Sequence, residues 1–344
     1  MTNNELAHPH DLLVRRFLVE PELMADLMTF YVRQTNDQKI IQLIDLVHLR
    51  CESPININSN LVETIGDLRF STRFKASRQP STVFLLFEHQ STIDKYFRIR
   101  GLDYIVQSYK VFREKTKGKL KYPYPIVVVL YHGTIPWKEL QEMDDMIEMV
   151  PGVERNLLRY TLILIDLSLI PTNELQGHPA LQALIETLQL SSKGELVTQF
   201  EHVAEHFTAI KDDPRAQNWL HSLVRYGLAV SKMSKELVTK AFSKILNEKE
   251  AEKMATSTMQ ELITQGKIEG KIEGKIEGKI EGKMEGKMEA LHNAILKVLR
   301  KRFTMVPLGI ETMIQKMNDP IALESLHSYA LDCLTLDEFA TALR

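Results

Sequence analysis

TVFLLFEHQ, residues 82–90, is the stretch from which the fold of this chain is read. Val83, Phe84, Leu85, Leu86 and Phe87 form an unbroken apolar run before the polar Glu88, His89 and Gln90. Such a run reads as a central strand covered on both faces. The segment before it, LVETIGDLRFS (61–71), reads as a second strand. Between them lies a polar stretch, Thr72 to Ser81, with Pro80 as a breaker, so the pair is expected to form an antiparallel hairpin with a long loop. Side chains alternate along a strand, which puts Glu88 and Gln90 on one face; antiparallel pairing can then bring Asp67 beside Glu88.

Working outward, residues 94–115 carry Tyr96, Ile99, Leu102, Ile105, Val106, Tyr109 and Phe112 at helical spacing. YPIVVVLYH (124–132) and YTLILIDL (160–167) read as two further buried strands, the second ended before Pro171. Upstream, DLLVRRFLVEPELMADLMTFYV (11–32) is helical but interrupted by Pro21, giving two short helices or one broken helix. IIQLIDLVHLR (40–50) is ambiguous between helix and strand. A leading helix followed by strand, strand, helix and strand implies an α/β core with a mixed sheet over residues 1–175. Residues 176–263 read as helical throughout, 264–290 as a repeat segment and 291–344 as a small helical domain.

The repeat is GKIEGKIEGKIEGKIEGKMEGK, residues 266–287. A period of four sets Ile268, Ile272, Ile276, Ile280 and Met284 one turn apart, with a drift of about 40° per step because a turn holds 3.6 residues. Lys and Glu fall two apart, outside the favourable i,i+4 spacing. Each of the six glycines costs about 1 kcal/mol relative to alanine in a helix. Two readings stay open: a flexible charged linker, or a helix that pairs with a second copy and makes the chain a homo-oligomer. No phosphate-binding glycine spacing occurs.

With 344 residues, 44% hydrophobic and 26% charged, the chain has the composition of a soluble protein of two domains and an appendage. A net charge of −2 excludes general attraction to polyanions, so a nucleic-acid site must come from local charge. Local charge is present: residues 69–121 hold 13 Lys and Arg against four acids, a balance of +9. Cys51 and Cys333 offer neither metal-ligand spacing nor a disulfide framework and read as free thiols of a reducing cytoplasm. The polar stretch Met1 to Asp11 lacks the apolar core of a signal peptide, and no run is long enough to span a bilayer. A cytoplasmic protein is expected, without a membrane partner.

Two carboxylates on adjacent strands, with a backbone carbonyl, make a hard oxygen site suited to Mg²⁺. Such an ion activates water and stabilises charge on a scissile phosphate. The bland alternative for Glu88 is a strand-end carboxylate facing solvent. A basic collar around a carboxylate pair is what phosphodiester cleavage needs, although Lys115 to Lys121 also suit a solvated helix end. Strand-end His132 and Asp166 read as structural, and Asp11 suits a helix start.

FEHQSTIDKYFRIRGLDYIVQSYK (87–110) resembles the signature of the Rpn family of recombination-promoting nucleases, also described as YhgA-like transposases. PHDLLVRRFLVEPELMADLM (9–28), including His10 and Asp11, resembles that family's opening helix, and GDLRFS (66–71) its acidic strand. The resemblance covers about residues 8–290. It implies a PD-(D/E)XK restriction-endonuclease-like core and a DNA endonuclease dependent on Mg²⁺ or Mn²⁺. On matching positions it implies Asp67 and Glu88 as metal ligands, with Gln90 catalytic where related nucleases carry lysine. Glutamine orients by hydrogen bonds but supplies no positive charge, so either activity is modest or a cation from elsewhere, Lys95 or Arg100, substitutes. Arg100 and Tyr104 match further family positions, Tyr104 in support and Arg100 against phosphate, Glu88 or a structural ion pair. Arg69, Arg73, Lys75, Arg78, Lys95 and Arg100 are the expected DNA contacts. A DNA-binding or regulatory protein with a vestigial site that oligomerises through its tail is the competing reading, and a helical protein-interaction scaffold the more distant one.

Overall fold

The computed structural model describes residues 9–32, 38–52, 68–77, 83–118, 120–138, 143–148, 159–303 and 305–343. Two N-terminal helices, α1 (Pro9–Leu18) and α2 (Pro21–Phe30), are separated at Pro21, which takes the first position of the second helix, where its missing N–H is not needed. The ambiguous 40–50 segment holds both kinds of structure. Helix α3 (Gln38–Leu43) gives way to a 3-10 turn at Leu46–His48 and then to strand β1 (Arg50–Glu52).

Strands β2 (Leu68–Thr72) and β3 (Val83–Gln90) follow. Helix α4 (Phe97–Thr116) crosses to β4 (Tyr124–Tyr131), and the short α5 (Met143–Met146) precedes β5 (Thr161–Asp166). The five strands lie in the order β1-β2-β3-β4-β5. β1–β2 and β2–β3 are antiparallel, with Leu68 opposite Phe87; β3–β4 and β4–β5 are parallel. The sheet is thus mixed, as expected, and β3 is its central strand.

Alternation along β3 explains its unbroken apolar run. Val83, Leu85 and Phe87 enter the main core, while Phe84 and Leu86 face α4 and pack with Phe97, Tyr104 and Ile105. The main core is completed by the helices after the sheet: α6 (Pro179–Lys193), α7 (Leu196–Glu205), α8 (Ala216–Ala229) and α9 (Lys235–Phe242). Gly194 ends α6 at φ +74°, a left-handed cap that glycine adopts without strain.

Residues up to Leu262 form one compact unit and those from Ile263 a second. Helix α10 (Glu248–Arg302) runs unbroken through the repeat. Ile268, Ile272, Ile276 and Met284 are exposed on it, and a Cβ built at any glycine from Gly266 to Gly286 would touch nothing. The second unit continues with α11 (Leu308–Gln315), α12 (Pro320–Asp332) and α13 (Leu336–Ala342). Its own small core includes Ile295, Leu299, Ile314, Leu323 and Phe339. Among the described residues no helix is long and apolar enough to cross a membrane.

Candidate active site

Glu88 and Gln90 project from the end of β3 toward α4, the same face as Phe84 and Leu86. Three groups converge on one carboxylate oxygen of Glu88. The Tyr104 hydroxyl donates to Oε1 at 3.0 Å, Gln90 Nε2 donates to it at 3.2 Å, and Arg100 Nη2 lies 3.9 Å away. The Glu88 side chain is 13% exposed, so it is held at the mouth of the sheet rather than swinging in solvent. Tyr104 and Arg100 stand one turn apart on α4, which is why both reach the same strand end.

Arg100 is itself positioned by two other contacts. Its Nη1 bonds Asp94 at 3.0 Å, and its guanidinium lies over the Phe97 ring at 4.7 Å. Nε and Nη2 make no hydrogen bond among the described residues. Asp67 and Arg78, both expected at the site, lie outside the described residues.

The basic collar is less available than its sequence suggests. Arg69 is only 4% exposed: it falls between Leu68 and Phe70 on the α4-facing side of β2, donates to Glu52 at 3.1 Å and lies over Phe84. Strand alternation therefore buries it, so it does not offer the exposed cation that was expected for contact with DNA. Arg73 bonds Asp45 at 2.9 Å; hydrogen bonds from His48 and Arg73 hold that carboxyl below its ordinary range. Lys75 and Lys95 are exposed.

Behind β3 lies a network that sequence reading did not assemble. His89, between Glu88 and Gln90, points to the opposite face, where Nδ1 meets Asp11 Oδ1 at 2.6 Å and Nε2 meets His132 Nδ1 at 2.9 Å. The His10 ring lies 4.8 Å from that of His132, and His10 Nδ1 meets the Tyr226 hydroxyl at 2.7 Å. Tyr226 donates in turn to Ser191 at 2.7 Å. Helices α1, α6 and α8 are thus tied to the strand that carries Glu88. The available signal was the parity of His89 against its neighbours, together with the paired His10 and Asp11.

Burial, with His89 and His10 nearby, pushes His132 down to about 3, and burial also lowers His10. His132 is therefore neutral when folded but binds a proton below its ordinary 6.5 when unfolded. The unfolded chain takes up more protons as pH falls from 6.5 toward 3, so stability declines across that window and is constant with respect to this group above it. Urea unfolding at pH 5 is expected to show a loss on the order of 2 kcal/mol relative to pH 7. His132→Gln should flatten that dependence; an equal slope in both proteins would contradict it.

The family model described as "Putative transposase, YhgA-like" matches residues 8–218. The chain belongs to this family. Among curated relatives, it is similar to the inactive recombination-promoting nuclease-like protein RpnE of Escherichia coli (strain K12), 26% identical over 194 residues, covering 55% of this chain and 60% of that protein. It is 28% identical over 192 residues to recombination-promoting nuclease RpnA of the same strain, covering 55% and 62%. Recombination-promoting nuclease RpnD of Escherichia coli O157:H7 is 27% identical over 194 residues, covering 55% and 70%. The alignments thus span only about 60% of the length of RpnE and RpnA. No solved structure matches the chain. In this YhgA-like chain the matched region takes in α1 and the whole sheet, and ends within α8.

Proposed function

We propose that this chain is a metal-dependent DNA endonuclease with a PD-(D/E)XK core, its site formed by Asp67, Glu88 and Gln90. The observation that carries the reading is the held carboxylate of Glu88, on a central strand, with Tyr104, Gln90 and Arg100 gathered at Oε1. The nuclease names of RpnA and RpnD support it. Leu68, the sequence neighbour of Asp67, pairs with Phe87, the sequence neighbour of Glu88.

A carboxylate fixed by neutral donors at the end of the central strand fits a hard divalent ion, and Asp67 and Glu88 would hold Mg²⁺ or Mn²⁺. When bound, the ion supplies water activation and charge stabilisation at the scissile phosphate. Gln90 orients Glu88 through its amide, Tyr104 fixes the same oxygen, and Arg100 brings positive charge to within 3.9 Å of it. Lys75 and Lys95 provide exposed cations for the DNA backbone. The test is cleavage of DNA by the purified full chain with and without Mg²⁺, beside an Asp67→Ala protein. Cleavage by the wild type that needs the ion and is lost in the variant is the expected result; equal cleavage by both would refute the assignment.

One observation favours a second reading. Gln90 is neutral and is engaged with Glu88 rather than supplying charge, and the relative RpnE is named inactive. In that reading the protein binds DNA without cutting it and oligomerises through α10, whose Ile268, Ile272, Ile276 and Met284 are exposed. Deleting residues 266–287 should then halve the mass measured by light scattering; an unchanged mass would leave the repeat as a spacer.

A further inference from the structure

A second group of ligand-type side chains stands outside the nuclease site. Glu186 lies in the middle of α6 and is 1% exposed, flanked by the buried Ile185 and Thr187. His202 on α7 and His206, which opens the following 3-10 turn, are four residues apart and so share a face. His202 Nδ1 reaches one Glu186 oxygen at 2.6 Å and His206 Nε2 reaches the other at 2.6 Å. One ligand atom from each of the three residues lies within 4.8 Å of the others.

A carboxylate in an apolar helix interface is destabilising unless its charge is matched. Here two imidazole nitrogens each lie 2.6 Å from one Glu186 oxygen. A divalent cation among them would take a lone pair from each imidazole and from the carboxylate. Another three-residue group, Glu22, His178 and Asp213, provides the contrast. There the Arg215 guanidinium already bonds Glu22 at 2.6 Å and Asp213 at 2.7 Å, so a cationic side chain of the chain itself engages both carboxylates.

We propose that Glu186, His202 and His206 form a zinc site that clamps α6 to α7. Two imidazole nitrogens and one carboxylate oxygen suit Zn²⁺, whereas Mg²⁺ and Ca²⁺ take oxygen ligands. The His202 side chain is 62% exposed, which gives the ion a path in and leaves a solvent-facing fourth position. The site is independent of Asp67 and Glu88 and does not rest on the nuclease reading.

The test is titration of the chelator-treated full chain with Zn²⁺ by calorimetry, and with Co²⁺ by visible absorption. The wild type is expected to bind one tight equivalent, to give the intense spectrum of four-coordinate Co²⁺, and to melt at a higher temperature with metal than without. His202→Ala, at an exposed position, should weaken Zn²⁺ binding by about 100-fold or more and abolish the Co²⁺ spectrum, with circular dichroism checking that the variant is folded. A combined Asp67→Ala, Glu88→Gln protein should keep both. The proposal is overturned if His202→Ala binds Zn²⁺ as tightly as the wild type, or if the wild type binds none.

Discussion

Glu88→Gln is expected to lower metal-dependent DNA cleavage on the order of 10³-fold while leaving the protein folded and bound to DNA. The substitution removes one formal charge and almost no volume. The Tyr104 hydroxyl can still donate to the retained Oε1, and the side chain is only partly buried, so the melting temperature should hardly move. Charge is what the proposed site cannot lose. A carboxylate replaced by an amide holds a hard cation poorly. Several kcal/mol of stabilisation then disappear from the phosphate transition state, at about 1.36 kcal/mol per tenfold in rate. DNA affinity at low salt should persist or rise, because a negative charge has been removed near Arg100. Turnover by the Glu88→Gln protein at the wild-type rate would end the enzymatic reading. A wild type that binds DNA but never cuts it would favour the competing one.

Trp219→Ala should be the most damaging single change to the first unit, costing about 3–5 kcal/mol. Trp219 is 1% exposed on α8 and stacks on Phe17 of α1, with ring centroids 5.9 Å apart. The His178 ring meets it edge-on at 5.6 Å, and the Arg215 guanidinium lies 5.0 Å from its centroid. Arg215 is in turn fixed by Asp213, whose carboxyl it holds down at about 2. Truncation leaves a large cavity and an arginine without its ring. For a unit of this length the loss corresponds to a fall in Tm on the order of 10 °C. The same joint seats α1, which carries His10 and Asp11 behind β3, so the variant should also become more sensitive to acid. Ile272→Ala on exposed α10 is the control and should change Tm little. A Trp219→Ala protein within about 1 kcal/mol of wild type would show that α8 does not brace α1.

Local chemistry alone determined much of this protein. The apolar run of 83–87 specified a central strand because only a strand covered on both faces tolerates it. Pro21 specified the break between α1 and α2, and the spacing from Tyr96 to Phe112 specified α4. Period-two alternation placed Glu88 and Gln90 on one face. For 266–287 the sequence left linker and helix both open, and the structure gives a helix.

What only the tertiary structure decided are the meetings between distant segments. Asp11 and His89 are 78 residues apart, and nothing in either segment names the other. Arg69 reads as a surface cation by composition, yet the face of β2 on which it falls is closed by Phe84 and Glu52. Glu186, His202 and His206 come together only because α7 packs on α6. The physical reason is common to all three. Periodicity reports which side of an element is apolar, but the partner of a polar side chain depends on which elements pack together, and that choice is made by the whole core.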